Sequence, residues 1–209
     1  MQLLNDIPTP PGQPPPGYCE VLYWKITEKK SRILLMNLLS FPLFILSSIV
    51  FIWLAVNVGR MPKEFDLSIL AAGLPVLLAL LLVLVLHELV HGFCMRLFGA
   101  HPKYGILWKV LAFYATSPGF AFPRWQYLVI ALAPLVALSL LAVLLMILFA
   151  GTAWVASIAF AAAVNAAGAI GDLWITTVVL RYPAYAYMMD ERDGVRVFLP
   201  YEGSVGRPS

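Results

Sequence analysis

Charged side chains are scarce in this chain. Lys, Arg, Asp and Glu make up 12% of its 209 residues, whereas 61% are hydrophobic. Soluble domains carry about 25% charged residues, so the composition excludes an ordinary water-soluble protein. It favours an integral membrane protein that is surrounded by a lipid bilayer.

The sequence also lacks the signatures of several function classes. It contains no P-loop, dinucleotide-binding fingerprint, serine nucleophile elbow or internal repeat. Its basic residues form no cluster, so we expect no nucleic-acid partner. The two cysteines, Cys19 and Cys94, are not expected to form a disulfide, because Cys19 falls in a predicted cytoplasmic tail.

Four long apolar segments dominate the chain instead. A helix that crosses the hydrocarbon core needs about 20 apolar residues, and each of these segments is that long. No cleaved signal peptide is expected, since the first 17 residues lack a basic start and are interrupted by prolines. We predict membrane spans near residues 33–57, 67–98, 126–150 and 153–180.

The predicted fold class is an all-α polytopic membrane protein of about four transmembrane helices, with a short strand-like or re-entrant segment between helices two and three. Twelve of the 14 Lys and Arg residues fall before span one, between spans two and three, or after span four. Basic residues favour the cytoplasmic face, so both termini of this multi-pass cell-membrane protein are expected in the cytoplasm. The expected units are a Pro-rich N-terminal segment (1–32), a transmembrane domain (33–180) and a C-terminal tail (181–209).

Span two contains His87-Glu88-Leu89-Val90-His91, a match to the H-E-x-x-H motif. Positions 87 and 91 share one helix face, so the two imidazoles can bind a single Zn²⁺. Glu88 is rotated by about 100° from His87, which suits a general base acting on water rather than a metal ligand. The motif predicts a catalytic zinc site inside the membrane.

A third ligand is predicted at Asp172. Glu88 and Asp172 are the two acidic residues within predicted spans, where an unpaired carboxylate costs about 2.5–3.5 kcal/mol. His87 precedes Arg96 by nine residues, and Asp172 precedes Arg181 by nine, so both lie about 13 Å from the same membrane face. We therefore predict one Zn²⁺ per chain, bound by Asp172 and the two histidines, with a fourth position for water.

Asn165 lies seven residues before Asp172 and therefore on the same helix face. It is predicted to point at the same cavity and to bind substrate by donating a hydrogen bond to a carbonyl or oxyanion. An interhelical polar contact explains the residue equally well. Residues 161–172 are also rich in small side chains, which predicts close packing of this helix against its neighbours.

These residues resemble those of site-2 proteases, a group of intramembrane zinc metalloproteases, and more closely those of small prokaryotic families of membrane zincin peptidases. The resemblance covers residues 67–180. In that group an Asp on a later helix joins the H-E-x-x-H helix, and Asp172 is the matching residue here. Leu173 stands where Gly is common, and no Pro lies between Asn165 and Asp172. The resemblance implies intramembrane proteolysis, with regulatory proteins already trimmed by another protease among the substrates.

Residues 99–125, between spans two and three, contain two strand-like runs, 104–108 and 110–114. A strand edge beside the metal would hold an extended substrate by β-addition. Proline near Ala112 is then expected to abolish cleavage and leave zinc bound. The alternative is an interfacial loop that is anchored by aromatic side chains. Further strand-like runs lie at 18–27 and 184–199 in the two tails.

The predicted function is that of an intramembrane zinc metalloprotease. Zinc lowers the pKa of its bound water to about 7, and Glu88 takes the proton and passes it to the leaving amine. The expected partners are membrane-embedded or membrane-adjacent proteins or peptides. The alternatives are a non-peptidase membrane metal-binding protein, either a regulator or an ion transporter, and an inactive protease homologue.

Overall fold

The structure is a computed structural model, and it describes residues 10–62, 74–108 and 112–201. Within these residues four helical segments are long and apolar enough to cross a membrane, as predicted from the sequence. They are Lys30–Asn57, Leu80–Leu97, Arg124–Leu148 and Trp154–Val179. The predicted start of span two, at residue 67, lies outside the described residues.

The last of these spans is divided into two helices. A break at Ala169 separates them, where the backbone has φ −70° and ψ 6°. The span predicted near 153–180 is therefore present, and it consists of two successive helices. The helices are α1 (Lys30–Asn57), α2 (Leu74–Leu97), α3 (Arg124–Leu148), α4 (Trp154–Gly168) and α5 (Ile170–Val179).

The fold is not purely α-helical, which corrects the all-α prediction. Strands form at the strand-like runs of the two tails and between α2 and α3. They are β1 (Tyr18–Lys25), β2 (Lys103–Leu107), β3 (Ala112–Thr116), β4 (Ala121–Pro123), β5 (Tyr187–Glu191) and β6 (Gly194–Pro200). Hydropathy alone did not predict this outcome, because strands that lie before, between or after the four apolar segments leave the hydropathy of those segments unchanged.

Both ends of the chain enter one antiparallel sheet, with strand order β1-β6-β5-β4. β1 precedes the first helix, whereas β5 and β6 follow the last one and form a hairpin. β4 leads directly into α3. The N-terminal and C-terminal segments are therefore parts of one sheet that lies at a single end of the helical bundle.

A hydrophobic core joins this sheet to the helix ends beneath it. Met95 near the end of α2 and Tyr127 at the start of α3 belong to the same buried cluster as strand residues from the sheet. The strand residues of this cluster are Trp24, Phe122, Met188, Val195 and Val197. Because these contacts fix the sheet against α2 and α3, the β5–β6 hairpin is held over the polar residues of the bundle.

Small side chains allow α1 and α4 to pack closely. Ala55 of α1 and Ala159, Ala162 and Ala163 of α4 lie in one buried cluster. The Ser47 hydroxyl of α1 donates a hydrogen bond to the Ala163 carbonyl at 3.2 Å. The close packing predicted from the small residues of span four is thus present in the structure.

The β2–β3 hairpin lies against α2. Gly92 makes this contact possible, since a Cβ at that position would overlap the Tyr104 hydroxyl of β2. The strand-like character predicted for this segment is confirmed. The contact brings the hairpin beside the helix that carries the H-E-x-x-H motif.

Candidate metal centre

His87 and His91 project from one face of α2 into the bundle, and both are buried. Their four-residue spacing brings the two rings to a centroid separation of 5.0 Å. Glu88 is partly exposed and lines the same cavity. The helix therefore presents two imidazoles and a carboxylate to one cavity.

Asp172 faces these histidines from α5. The break at Ala169 places it in the first turn of that helix, where the helix dipole favours a negative charge. Its Oδ2 lies 3.0 Å from the His87 Nε2. Its Oδ1 lies 3.3 Å from the His91 Nε2. One carboxylate thus meets both imidazoles.

Asn165 of α4 contacts the opposite side of the His87 ring. The Asn165 Nδ2 donates a hydrogen bond to the Pro134 carbonyl at 3.3 Å, so its Oδ1 is turned toward His87. The His87 Nδ1 lies 3.0 Å from that oxygen and must carry the proton of this hydrogen bond. Asn165 therefore fixes the tautomer of His87 and leaves Nε2 directed at Asp172.

The tautomer of His91 is fixed in the same way by a backbone group. Its Nδ1 donates a hydrogen bond to the Ile130 carbonyl of α3 at 2.9 Å. Its Nε2 is then the acceptor nitrogen of the neutral ring. Two histidines from α2 are thus oriented by acceptors on α4 and α3, so that both Nε2 atoms point to Asp172.

This donor set fits a divalent cation. One ligand atom from each of His87, His91 and Asp172 lies within 4.8 Å of the others. With both Nδ1 atoms protonated, each neutral imidazole can offer the electron pair of its Nε2, and the carboxylate can offer an oxygen electron pair, to one cation between them. Two imidazoles and one carboxylate are a ligand set of catalytic zinc, and hydrogen bonds to the far ring nitrogens are typical of metal-binding histidines.

Comparison with known protein families agrees with this geometry. The family model described as "Putative zincin peptidase" matches residues 80–187, which is 108 of the 209 residues. The chain belongs to this zincin peptidase family. No curated protein and no solved structure was found to match it. The matched range contains the two histidines, Glu88, Asn165 and Asp172.

In this zincin peptidase homologue, Glu88 also contacts the β2–β3 hairpin. Its carboxylate makes a backbone hydrogen bond with Ala115 of β3. The Ala115 amide therefore points away from β2 and toward α2. Hydrogen-bonding direction alternates along a strand, so the Phe113 amide lies on the same edge, and both residues line the cavity of the metal centre.

Asp190 of β5 is a further acidic residue in this cavity, and the sequence analysis did not identify it. It is 9% exposed, and its Oδ1 accepts a hydrogen bond from the Tyr127 hydroxyl at 2.9 Å. Burial raises the pKa of its carboxyl to about 7. The only sequence signal was an acidic residue that follows Met188 and Met189 in a strand-like run, which also describes many exposed residues.

Cys94 and His101, two other side chains able to bind metal, are not part of this centre. Cys94 packs against the apolar core beneath the sheet. His101 is exposed and follows the turn at Gly99. Among the described residues the metal-binding group consists of His87, His91 and Asp172.

Proposed function

We propose that this chain is an intramembrane zinc metallopeptidase, in which His87, His91 and Asp172 bind one Zn²⁺ per chain. One observation carries the proposal: ligand atoms from two separate helices converge, and both imidazoles are held in the tautomer that metal binding needs. Membership of the zincin peptidase family supports hydrolysis as the reaction. The four apolar spans support a membrane location.

Glu88 is the proposed general base. A bound zinc ion supplies a Lewis acid that activates water and polarises a peptide carbonyl. Glu88 follows His87 directly and lines the same cavity, so it can take a proton from water and deliver it to the leaving amine. The Ala115 amide holds one side of this carboxylate and thereby limits the directions in which it can turn.

Substrates are proposed to be membrane-embedded or membrane-adjacent polypeptides. The amide-bearing edge of β3 supports this idea, because an extended peptide added to that edge would run beside Glu88. The sheet and most basic residues lie at one end of the bundle, which favours a cytoplasmic orientation for that end in the cell membrane. The transmembrane metalloprotease domain would then be residues 33–180, with both termini in the cytoplasm.

Asn165 is proposed to position His87. Both polar atoms of its amide are engaged, one with His87 and one with the Pro134 carbonyl. A direct role in substrate binding stays a prediction, supported by the neighbouring cavity that Asn165 shares with Glu88 and Phe113.

The test compares wild-type protein with the Glu88→Gln variant. Each is expressed in cells, new protein N-termini in the membrane fraction are identified by mass spectrometry, and zinc in the purified protein is measured by elemental analysis. We expect about one zinc per chain in both proteins and cleavage products with the wild type alone. Glu28→Gln is the matched control, because Glu28 forms an exposed ion pair with Arg32 outside the site.

Three other results of this experiment would contradict part of the proposal. Absence of zinc from both proteins would reject the metal centre. Identical cleavage by both would reject Glu88 as the base. Bound zinc without cleavage products from either protein would favour the alternatives, which are a non-peptidase metal-binding regulator or transporter and an inactive homologue.

A further inference from the structure

Pro134 lies within α3 and is fully buried. In an uninterrupted helix the amide of residue 134 would donate a hydrogen bond to the carbonyl of residue 130. Proline has no amide hydrogen, and its ring pushes against the carbonyl four residues earlier. The Ile130 carbonyl therefore lacks the amide partner that it would have in an uninterrupted helix.

This released carbonyl is the acceptor that orients His91. The distance from the His91 Nδ1 to the Ile130 oxygen is 2.9 Å, and Ile130 itself is buried. An ordinary helical carbonyl is already occupied by its own amide partner, so it is a poorer acceptor for a side chain. Because Pro134 has no amide hydrogen, the Ile130 carbonyl can accept a hydrogen bond from His91 without competition from a helical amide.

The same proline also takes part in orienting the other histidine. Its own carbonyl accepts the hydrogen bond from the Asn165 Nδ2, and the Asn165 Oδ1 accepts from His87. One short stretch of α3, residues 130–134, therefore supplies a backbone carbonyl to the hydrogen bonds that orient each of the two histidines. The ends of this stretch differ in what they contact, with Ile130 facing His91 directly and Pro134 facing His87 through Asn165.

We propose that Pro134 is a positioning residue of the metal centre, which sets the tautomer and orientation of His91 by freeing the Ile130 carbonyl. This inference rests on the metal site of the proposed function and does not depend on peptidase activity. Pro134 touches neither substrate nor metal. It acts through a backbone carbonyl, and the consequence is a higher affinity for zinc.

The Pro134→Ala variant tests this role. Alanine restores the amide hydrogen, which then competes with His91 for the Ile130 carbonyl. Since loss of a partner to a metal-binding histidine costs about 10–100-fold in metal affinity, we expect zinc affinity to fall about tenfold or more. Helix α3 gains a hydrogen bond, so the Tm of the metal-free protein is expected to stay unchanged or rise.

Pro42→Ala is the matched control. Pro42 interrupts α1 as Pro134 interrupts α3, but it frees the carbonyl of Leu38, a residue whose side chain is 61% exposed. This variant is expected to bind zinc as the wild type does. It shows how loss of a proline from an apolar helix affects zinc affinity when no metal ligand is hydrogen-bonded to the freed carbonyl.

Zinc affinity is measured by chelator competition in detergent, and Tm is measured on the metal-free proteins. A fall in zinc affinity together with an unchanged or higher Tm in Pro134→Ala supports the proposal. A joint fall of both would reveal a merely structural role and overturn it, as would a zinc affinity within twofold of the wild type. Nitrogen-15 spectra of the histidines in the metal-free protein at high pH add a zinc-independent readout.

In these spectra, the wild type is expected to carry the His91 proton on Nδ1, and Pro134→Ala is expected to show a mixture of tautomers. Equal tautomer populations in the two proteins would overturn the proposal. If the wild type binds no zinc, the proposed function fails, and the spectra still decide whether Pro134 orients His91.

Discussion

The His87 Nε2 lies 3.0 Å from the Asp172 Oδ2, although 85 positions separate the two residues along the chain. The contact joins α2 to the first turn of α5, across a bundle that also contains α3 and α4. Its geometry depends on three features: the helical spacing of the histidines, the break at Ala169 and the amide of Asn165.

Replacement of Asp172 by alanine is expected to remove bound zinc or weaken its binding sharply. The variant keeps both histidines but loses the only carboxylate among the three converging ligands. Elemental analysis of the purified protein measures the loss. Glu28→Ala serves as the control, because its carboxylate is exposed in the turn that precedes α1. Full zinc content in Asp172→Ala would show that another residue completes the site.

Replacement of Asn165 by alanine is expected to weaken zinc binding by about 10–100-fold without abolishing it, because the variant loses an outer partner of a ligand rather than the ligand. The His87 ring would then be free to turn about its side-chain torsion. Chelator competition measures the affinity. Asn57→Ala is a suitable control, since the Asn57 amide bonds only the Trp53 carbonyl of its own helix among the contacts described. Equal affinities in both variants would contradict the positioning role of Asn165.

The β3 edge is tested by comparing Phe113→Pro with Phe113→Ala. Both variants lose the aromatic ring, but only proline also loses the amide that faces the cavity. Because alternation along β3 directs the Phe113 amide, like that of Ala115, away from β2, the hairpin is expected to persist in both. Cleavage by the proline variant should fall at least tenfold below that of the alanine variant, with zinc content equal. Similar cleavage rates would mean that substrate does not pair with this edge.

The buried carboxyl of Asp190 is expected to make the thermal stability of the protein depend on pH. Burial raises the pKa of its carboxyl to about 7 in the folded chain, against about 3.9 in an unfolded chain. The folded state therefore favours the protonated carboxyl. The contribution of this group to the free energy of unfolding is fully present below pH 4 and is lost as pH rises through 7. The loss is at most about 4 kcal/mol.

Thermal melting of the wild type and Asp190→Asn from pH 5 to pH 8 measures this effect. Asparagine is uncharged and can still accept the Tyr127 hydrogen bond, so it mimics the protonated carboxyl. The Tm of the wild type should fall relative to that of the variant as pH increases. A constant difference between the two proteins across this range would contradict the raised pKa.

Local patterns in the sequence were sufficient to predict several parts of the structure. Four apolar runs predicted four candidate spans, and the H-E-x-x-H spacing predicted two histidines on one helix face. The match in depth between His87 and Asp172 correctly predicted that the two residues meet. These features depend on helical geometry and on distance from a membrane face, both of which can be counted along the chain.

Features that depend on backbone geometry or on distant pairing were not predicted. No proline marks the break at Ala169 in the sequence. The acceptor for His91 is the backbone carbonyl of Ile130, and every residue has a carbonyl, so the sequence could not single it out. The strand-like run at 18–27 was recognised, but its partner lies more than 160 residues away. Asp190 was not recognised because its burial depends on that same sheet.

The pairing of β1 with β6 has a consequence for biosynthesis. Ribosomes release the N-terminus first, so β1 must wait for β6 before the sheet can close over the candidate metal centre. Asp172 is also synthesised late, after both histidines. A chain still under synthesis therefore lacks first the third ligand and then the finished sheet, and the candidate centre cannot be completed before β6 has left the ribosome.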